Sequence, residues 1–170
     1  MSKKILCKSI IVLGMMVGLL VGCARQTNLC NYDLQYGMTC SPARLNALTK
    51  TIRRQGIQIS YLGDSIYVII PSSKLFCQKT TDLKALALPT LNLVTKFLAC
   101  YQKITVRVVG FSNLWCSKRS NAIFAKKQAQ AVANELWHRG SDARFMRASG
   151  SSTTKGDWGN RIEIITKRLP

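Results

Sequence analysis

Acidic residues and histidine are scarce in this sequence, and their scarcity narrows what the protein can bind. The chain has 7 Asp and Glu residues against 25 Lys and Arg residues, which gives a formal net charge of +18. So basic a surface attracts polyanions, although it can also reflect a basic proteome. Only one histidine, His138, is present, and no two of the 7 cysteines have C-x-x-C spacing. A zinc site is therefore not expected.

The sequence also lacks the residue patterns that common hydrolases use. Glu135 and Glu163 are its only glutamates, and nothing in their spacing pairs them for acid–base chemistry. The Ser-Gly-Ser-Ser run at 149–152 has no strand–turn–helix context of the kind that exposes a nucleophilic serine. We therefore expect no catalytic residue, no metal and no cofactor.

No apolar run in the sequence is long enough to span a bilayer comfortably. The run from Ile10 to Leu20 has no charge, but it falls short of the about 20 apolar residues that a spanning helix needs. Three lysines precede it, and small Gly22 follows it. A basic start, a short apolar core and a small residue before the cleavage point are typical of a secretory signal peptide. The sequence predicts one over residues 1–22.

The end of that segment, Leu20-Val21-Gly22-Cys23, carries a first resemblance. Its pattern Leu-x-Gly-Cys resembles the lipobox of bacterial lipoproteins. The resemblance implies cleavage before Cys23, a diacylglycerol on its thiol and an acyl chain on its amine, which together anchor a protein stably. Ala24 stands where inner-membrane lipoproteins usually have Asp, so the resemblance implies lipid anchoring to the outer membrane, facing the periplasm. A plain membrane anchor with an incidental cysteine is the alternative.

Cleavage at this point defines the mature chain. Removing 22 of the 170 residues leaves 148, enough for one domain with a sizeable core. No acid precedes Cys23, so the loss of three lysines lowers the formal charge from +18 to +15. In the periplasm such a surface would attract peptidoglycan carboxylates, lipid head groups or an acidic protein. Nucleic acid is excluded as a partner by the exported location.

Five cysteines follow Cys23, and the periplasm permits disulfides. Because five is odd, at least one thiol stays free or pairs between chains. The sequence leaves the pairing open, and one interpretation is that Cys30 and Cys40 close a short loop in the N-terminal arm. Cys100 is expected to be a buried small hydrophobic residue rather than a reactive thiol. The five are Cys30, Cys40, Cys77, Cys100 and Cys116.

Residue periodicity divides the mature chain into an arm and a domain. Residues 23–55 are predicted to form a lipid-anchored tether, irregular at first and ending in a short helix. Residues 56–170 are predicted to form an α+β two-layer sandwich, with helices packed on one face of a mixed sheet. The expected elements are a helix at Ala43–Arg54, a hairpin at Ile57–Tyr61 and Ile66–Ile70, a helix from Pro89, a strand at Ile104–Val109 ending at Gly110, a helix at Asn121–Arg139, a strand at Arg144–Ala148, a loop at Ser149–Gly159 and a strand at Arg161–Thr166.

A second resemblance rests on the order and spacing of several short motifs between Gly56 and Lys167. They are Gly63-Asp64-Ser65-Ile66, Ile70-Pro71, Leu75-Phe76, Val108–Asn113, Phe124–Val132 and Asn160–Ile164. In that order they resemble the OmpA-like C-terminal domain, the family of the peptidoglycan-associated lipoprotein and the flagellar stator protein MotB. The resemblance implies an OmpA-like fold and non-covalent binding of the diaminopimelate of peptidoglycan.

The resemblance also implies where a ligand would bind. In the family, a strand-end aspartate holds the ligand's ammonium and a helix arginine holds its carboxylate. By position these residues correspond to Asn113 and Gln128, and the closing Arg161 is retained. Neutral amides lack charge-assisted hydrogen bonds worth about 1.5–3 kcal/mol each. The resemblance therefore implies weakened or altered peptidoglycan binding, with Lys126 and Lys127 either compensating or forming a solvated face.

The layout of the chain supports two interpretations of its role. A tether, a basic domain and an altered ligand site are similar to the layout of lipoproteins in type IVB (Dot/Icm) secretion systems. That similarity implies a structural role in an envelope-spanning secretion machine, with other envelope or secretion-system proteins as partners. The alternative is a plain peptidoglycan-binding tether that links the outer membrane to murein.

The tryptophans and the histidine have less decided interpretations. Trp115 and Trp158 are expected in loops near the ligand cleft, where they could border a partner site or cap the core. Trp137 is expected to pack within a helix. His138 comes near the end of that helix, where a cation suits the helix dipole.

Overall fold

The computed structural model describes residues 40–101, 103–141, 145–153 and 159–168, all within the compact unit Thr39–Pro170. The predicted signal peptide, Cys23 and most of the predicted tether lie outside these residues, as does Trp158. In the described part of the chain, no helix combines the length and the apolar character needed to cross a bilayer.

The described residues form the predicted succession of helices and strands, with one addition. A four-residue helix, α2, follows directly after the second strand and was not expected from the sequence. The elements are α1 Pro42–Arg54, β1 Gln58–Leu62, β2 Ser65–Pro71, α2 Ser72–Leu75, α3 Ala87–Leu98, β3 Lys103–Ser112, α4 Lys118–His138, β4 Met146–Ser152 and β5 Arg161–Arg168.

The five strands form one mixed sheet in the order β1-β2-β5-β3-β4. Neighbouring strands are antiparallel except β3 and β4, which are parallel and therefore need the crossover that α4 provides. Along β2, Ile66, Val68 and Ile70 are fully buried while the residues between them are partly exposed. The helices thus cover one face of the sheet and leave the other open. This confirms the predicted fold class.

The core lies between the covered face and the helices. α1 contributes Ile52, α3 contributes Leu91 and Phe97, and α4 contributes Val132 and Leu136, all fully buried. Full burial of one such side chain stabilises the fold by about 1.5–3 kcal/mol. These apolar stripes therefore fix each helix on the sheet.

Two glycines let α4 lie directly against the sheet, and they explain two wrong predictions. A Cβ on Gly110 would collide with the backbone carbonyl of Ala125, and one on Gly150 would collide with that of Ala122. The prediction that β3 ends at Gly110 is wrong, because the glycine admits the helix and the strand continues to Ser112. The predicted loop from residue 149 is wrong at its start for the same reason, since β4 runs to residue 152.

A disulfide joins Cys40 to Cys100, with their Cα atoms 4.8 Å apart and a sequence separation of 60. The suggested pairing of Cys30 with Cys40 is therefore wrong. Cys100 is buried, as expected, but it is bonded rather than a free hydrophobic residue. The fold brings the two together because Cys40 precedes α1 and Cys100 follows α3. Cys77 and Cys116 are free and exposed.

The two ends of the sheet hold different parts of the chain. At one end β1 and β5 finish and β3 and β4 begin, and Cys100 lies there just before β3. We call it the Cys40 end, because the disulfide fixes Cys40 at it. At the opposite end β3 finishes and α4 begins, and we call it the Asn113 end. As the crossover between parallel strands, α4 runs from the Asn113 end to the Cys40 end.

Candidate functional site

Asn113 directly follows β3, where the chain leaves the sheet. The residue is exposed, and its backbone N–H donates a 2.8 Å hydrogen bond to the side-chain oxygen of Asn160. Since Asn160 precedes Arg161, this bond ties the end of β3 to the start of β5. Two of the three family positions therefore lie close together at the Asn113 end. With an amide at position 113, no carboxylate is present there to hold an ammonium group.

Gln128 lies on the buried side of α4 and is only 4% exposed. Its Nε2 donates a 2.8 Å hydrogen bond to the backbone carbonyl of Thr80. Thr80 belongs to the loop between α2 and α3, which a bridge between Phe76 and Leu83 closes. The Thr80 hydroxyl also accepts a hydrogen bond from the N–H of Asp82 at 3.2 Å. Gln128 therefore links the helix to this loop, and one of its two amide N–H groups is used within the protein.

Arg161 has its charge neutralised on the open face of the sheet. Its Nε donates to the carboxylate of Glu163 at 2.7 Å, and the two side chains are 15% and 14% exposed. The guanidinium lies over the ring of Phe111, 4.0 Å from the centroid. Because Ile162 faces the helices, Arg161 points to the other side of the sheet. The structure thus gives Arg161 and Gln128 separate protein partners on opposite sides.

The loop between β3 and α4 is held by Asn121, which is 3% exposed. The Asn121 side-chain oxygen accepts from the N–H of Trp115 at 2.9 Å, and its Nδ2 donates to the carbonyl of Trp115 at 2.7 Å. Ser117 caps the helix by accepting a 3.3 Å hydrogen bond from the N–H of Ser120. These bonds fix the loop backbone at the start of α4.

An open groove of about 220 Å³ lies beside this loop, lined by Trp115, Ser120, Ile123, Phe124 and Lys127. The rings of Trp115 and Phe124 meet edge to face at 4.7 Å, and Trp115 is 43% exposed. Trp115 therefore borders a groove rather than filling the core. An aromatic wall beside a lysine suits a ligand with a flat apolar part and an anionic group.

Sequence reasoning missed Asn121 and Phe124, which shape the groove. One signal was present, since Asn121 is a polar residue within the first turn of an otherwise amphipathic helix, where an asparagine often bonds to nearby backbone. No such signal marks Phe124, because an aromatic residue on a helix usually packs in the core.

The glutamates and the histidine singled out in the sequence do not form a cluster. Glu135 forms an ion pair with Arg139 at 2.6 Å, and Glu163 pairs with Arg161, so the two glutamates do not act together. His138 is exposed in the last turn of α4 at the Cys40 end. Within the described residues, no three His, Cys, Asp or Glu side chains are grouped as a metal site would need.

The prediction that the Trp137 side chain takes part in helix packing is wrong. It lies on α4 but is 58% exposed, whereas its neighbour Leu136 is fully buried. The buried stripe of α4 runs through Val132 and Leu136, and the next residue along the helix points about 100° away from it. Lys126 and Lys127 are likewise exposed, on the part of α4 nearer the Asn113 end.

The chain is similar to known proteins in sequence and, at lower identity, in fold. No protein-family model matches this sequence. The chain is 28% identical over 128 residues to the "Probable lipoprotein YiaD" of Escherichia coli, a match that covers 70% of this chain and 58% of that protein. The chain therefore spans less than two thirds of that relative.

Solved structures of low sequence identity resemble the fold. The cell wall anchor of the type VI secretion system from Pseudomonas aeruginosa is 23% identical, with a TM-score of 0.62 over 75% of this chain and 96% of that one. The periplasmic domain of MotB from Helicobacter pylori is 16% identical, with a TM-score of 0.56 over 68% of this chain and 82% of that one. Neither is a type IVB component, so the more specific resemblance to lipoproteins of Dot/Icm secretion systems gains no support. The chain has the fold of OmpA-like and MotB-type domains.

Proposed function

We propose that this protein is a lipid-anchored tether of the cell envelope, with an OmpA-like domain whose ligand site is altered. The sequence up to Cys23 supports export and lipid attachment, and the relative in Escherichia coli bears the name of a lipoprotein. Anchoring in the outer membrane, facing the periplasm, follows from Ala24 in the same proposal. Mass spectrometry of the mature protein, with separation of inner and outer membranes, tests both points.

The observation that carries the altered site is the engagement of Gln128 and Arg161 by the protein itself. Gln128 is bonded to the carbonyl of Thr80, and Arg161 is paired with Glu163. Asn113 adds no charge. A zwitterionic ligand needs a free carboxylate and a free guanidinium, and neither is offered at these positions. Capture of peptidoglycan by the pair of opposite charges is therefore weakened.

Sedimentation with purified sacculi tests this proposal. The natural chain is compared with a variant carrying Asn113→Asp and Gln128→Arg, after melting curves have verified that both fold. We expect weak co-sedimentation of the natural chain and stronger co-sedimentation of the variant. Strong, diaminopimelate-competed binding by the natural chain, unchanged in the variant, would instead favour a plain peptidoglycan tether.

A second candidate is a structural role in an envelope-spanning secretion machine. The likeness to the type VI cell wall anchor favours it, because that match covers 96% of the anchor's chain. Cross-linking in intact cells followed by purification of the protein would test it, with type IVB and type VI components scored separately. Recovery of neither class of component would contradict the second candidate and leave the tether.

We propose no enzymatic activity. Each of the two glutamates is committed to its own arginine, at 2.6 Å and 2.7 Å. General acid–base chemistry needs a carboxyl group that is free to exchange its proton with a substrate. Incubation with sacculi should release no soluble fragments above the level seen with heat-treated protein.

A further inference from the structure

The Cys40 end has a rim of exposed apolar side chains and, on the adjoining open face of the sheet, a patch of basic side chains. Neither belongs to the ligand site. We propose that this end docks on the surface of a bilayer containing anionic phospholipids, so that the domain rests against a membrane. The proposal rests on the proposed function in one respect, that Cys23 is the lipid-bearing residue.

Four large apolar side chains are exposed at the Cys40 end. Leu62 ends β1 and is 70% exposed, and Phe145 immediately precedes β4 and is 58% exposed. These two strands are the opposite edges of the sheet, roughly 19 Å apart. Tyr61 and Trp137 are 49% and 58% exposed at the same end. The four side chains therefore border a broad surface at this end of the domain. Trp and Tyr are the residues that favour the membrane–water interface.

The open face beside this rim carries uncompensated positive charge. Arg107 and Arg147 are directly opposite each other in the parallel β3–β4 pair, and both are exposed. Neither makes an ion pair or hydrogen bond with any described residue. Like charges in register destabilise a sheet, so an anion held over them would relieve a cost. Exposed Lys167 adds to the patch, whereas Asp64 lies in the β1–β2 turn and Glu135 is already paired with Arg139.

One arginine on the same face of the sheet is paired within the protein. At the Asn113 end, Arg161 has Glu163 as its partner and Phe111 beneath it. The unsatisfied arginines are confined to the half of the face that adjoins the rim. Charge and apolar exposure thus coincide, which is the combination that holds peripheral proteins on anionic membranes.

The course of the chain selects a membrane over an acidic protein. Cys40 is bonded to Cys100 at this end, and 17 peptide bonds separate it from Cys23. A chain of that length spans at most about 60 Å. A lipid on Cys23 would therefore keep the Cys40 end within about 60 Å of the bilayer, at a high effective concentration. A separate protein has no such link to this end.

Flotation with lipid vesicles tests the proposal. The mature chain carries Cys23→Ser, which removes the acyl anchor, and is mixed with vesicles of phosphatidylcholine alone or with added phosphatidylglycerol. We expect binding only to the mixed vesicles, and weakening as salt is raised. Arg107→Gln with Arg147→Gln should weaken binding about 30-fold. The matched control, Lys118→Gln with Lys126→Gln, removes the same charge from exposed positions of α4 and should change binding less than about 3-fold.

A second pair of substitutions separates insertion from charge attraction alone. Leu62→Ser with Phe145→Ser leaves the charge unchanged and should also weaken vesicle binding, because it removes apolar surface from the rim. All positions are exposed, so melting temperatures should stay close to that of the unsubstituted chain.

Three results would overturn the proposal. The chain with its natural rim and arginines could fail to bind mixed vesicles at low salt. The lysine control could weaken vesicle binding as much as the arginine pair does. The arginine pair could also reduce binding to sacculi while leaving vesicle binding intact, which would assign the patch to the cell wall. The vesicle assay uses neither acylation nor sacculi, so its failure is distinguishable from failure of the proposed tether.

Discussion

The two ends of the sheet differ in how the arginines of its open face are paired. At the Asn113 end, Asn121 bonds both backbone groups of Trp115, and Arg161 is paired with Glu163. At the Cys40 end, Arg107 and Arg147 have no partner among the described residues. A surface whose polar groups are paired within the protein keeps its shape without a ligand. Unpaired charges on a surface are instead stabilised by whatever that surface contacts. The comparison predicts that substitutions at the Asn113 end affect stability and those on the Cys40 rim affect binding.

The largest effect on stability is expected from Gly110→Val, which would break the close packing of α4 on β3. The added side chain would meet the backbone of Ala125, which cannot move aside as a flexible side chain could. We expect a loss of about 4 kcal/mol or more in the free energy of unfolding, measured by urea denaturation. Gly63→Asn is the control, because open space surrounds that glycine and asparagine tolerates its positive φ of 55°.

The next largest effect is expected from Cys40→Ser, which opens the disulfide at the Cys40 end. A cross-link between residues 60 apart restricts the unfolded chain, and its loss should cost about 3 kcal/mol. Adding a reductant to the natural protein should lower its stability by a similar amount. Cys77→Ser and Cys116→Ser serve as controls, since both thiols are free and exposed. Equal losses in those controls would contradict the assigned pairing.

A smaller effect is expected from Asn121→Ala at the Asn113 end. The substitution leaves the N–H and the carbonyl of Trp115 without their partners, which should cost about 1–3 kcal/mol. Thermal denaturation followed by circular dichroism measures the change. Asn134→Ala is the matched control, because the side chain of Asn134 only accepts one bond from Gln130 on the exposed surface. A melting temperature unchanged by Asn121→Ala would show that the loop is not held as described.

The smallest effect is expected on the Cys40 rim, where Leu62→Ser should change the free energy of unfolding by less than about 0.5 kcal/mol. Leu62 is 70% exposed and packs against little. The comparison substitution is Leu136→Ala, whose fully buried side chain should cost about 2–5 kcal/mol. A large loss with Leu62→Ser would mean that the rim supports the fold and is not kept for a binding partner.

Periodicity predicted the type and order of the main elements because each has one buried face. Ile66, Val68 and Ile70 alternate, and the α4 residues recur at helical spacing, so their burial could be inferred from the sequence. Gly110 and Gly150 were misjudged because a glycine that ends a strand and one that admits a helix look the same in sequence. The distinction depends on a neighbour far away along the chain.

The candidate site was predictable in its residue types and not in their partners. The amides at Asn113 and Gln128 could be identified as uncharged from the sequence alone. That Gln128 bonds to Thr80, 48 residues away, depends on how the loop after α2 packs on α4. The bond between Cys40 and Cys100 is similarly long-range, and cysteine spacing alone leaves such pairings open.

The disulfide also determines how the domain would bear a mechanical load. Tension on the chain before Cys40 passes through the sulfur bridge to Cys100, at the foot of β3, so α1 lies inside a closed loop and is not peeled away. If the opposing pull acts near Asn113, the force runs along β3, whose inter-strand hydrogen bonds with β4 and β5 are perpendicular or slanted to it. Many bonds then share the load at once instead of opening one by one.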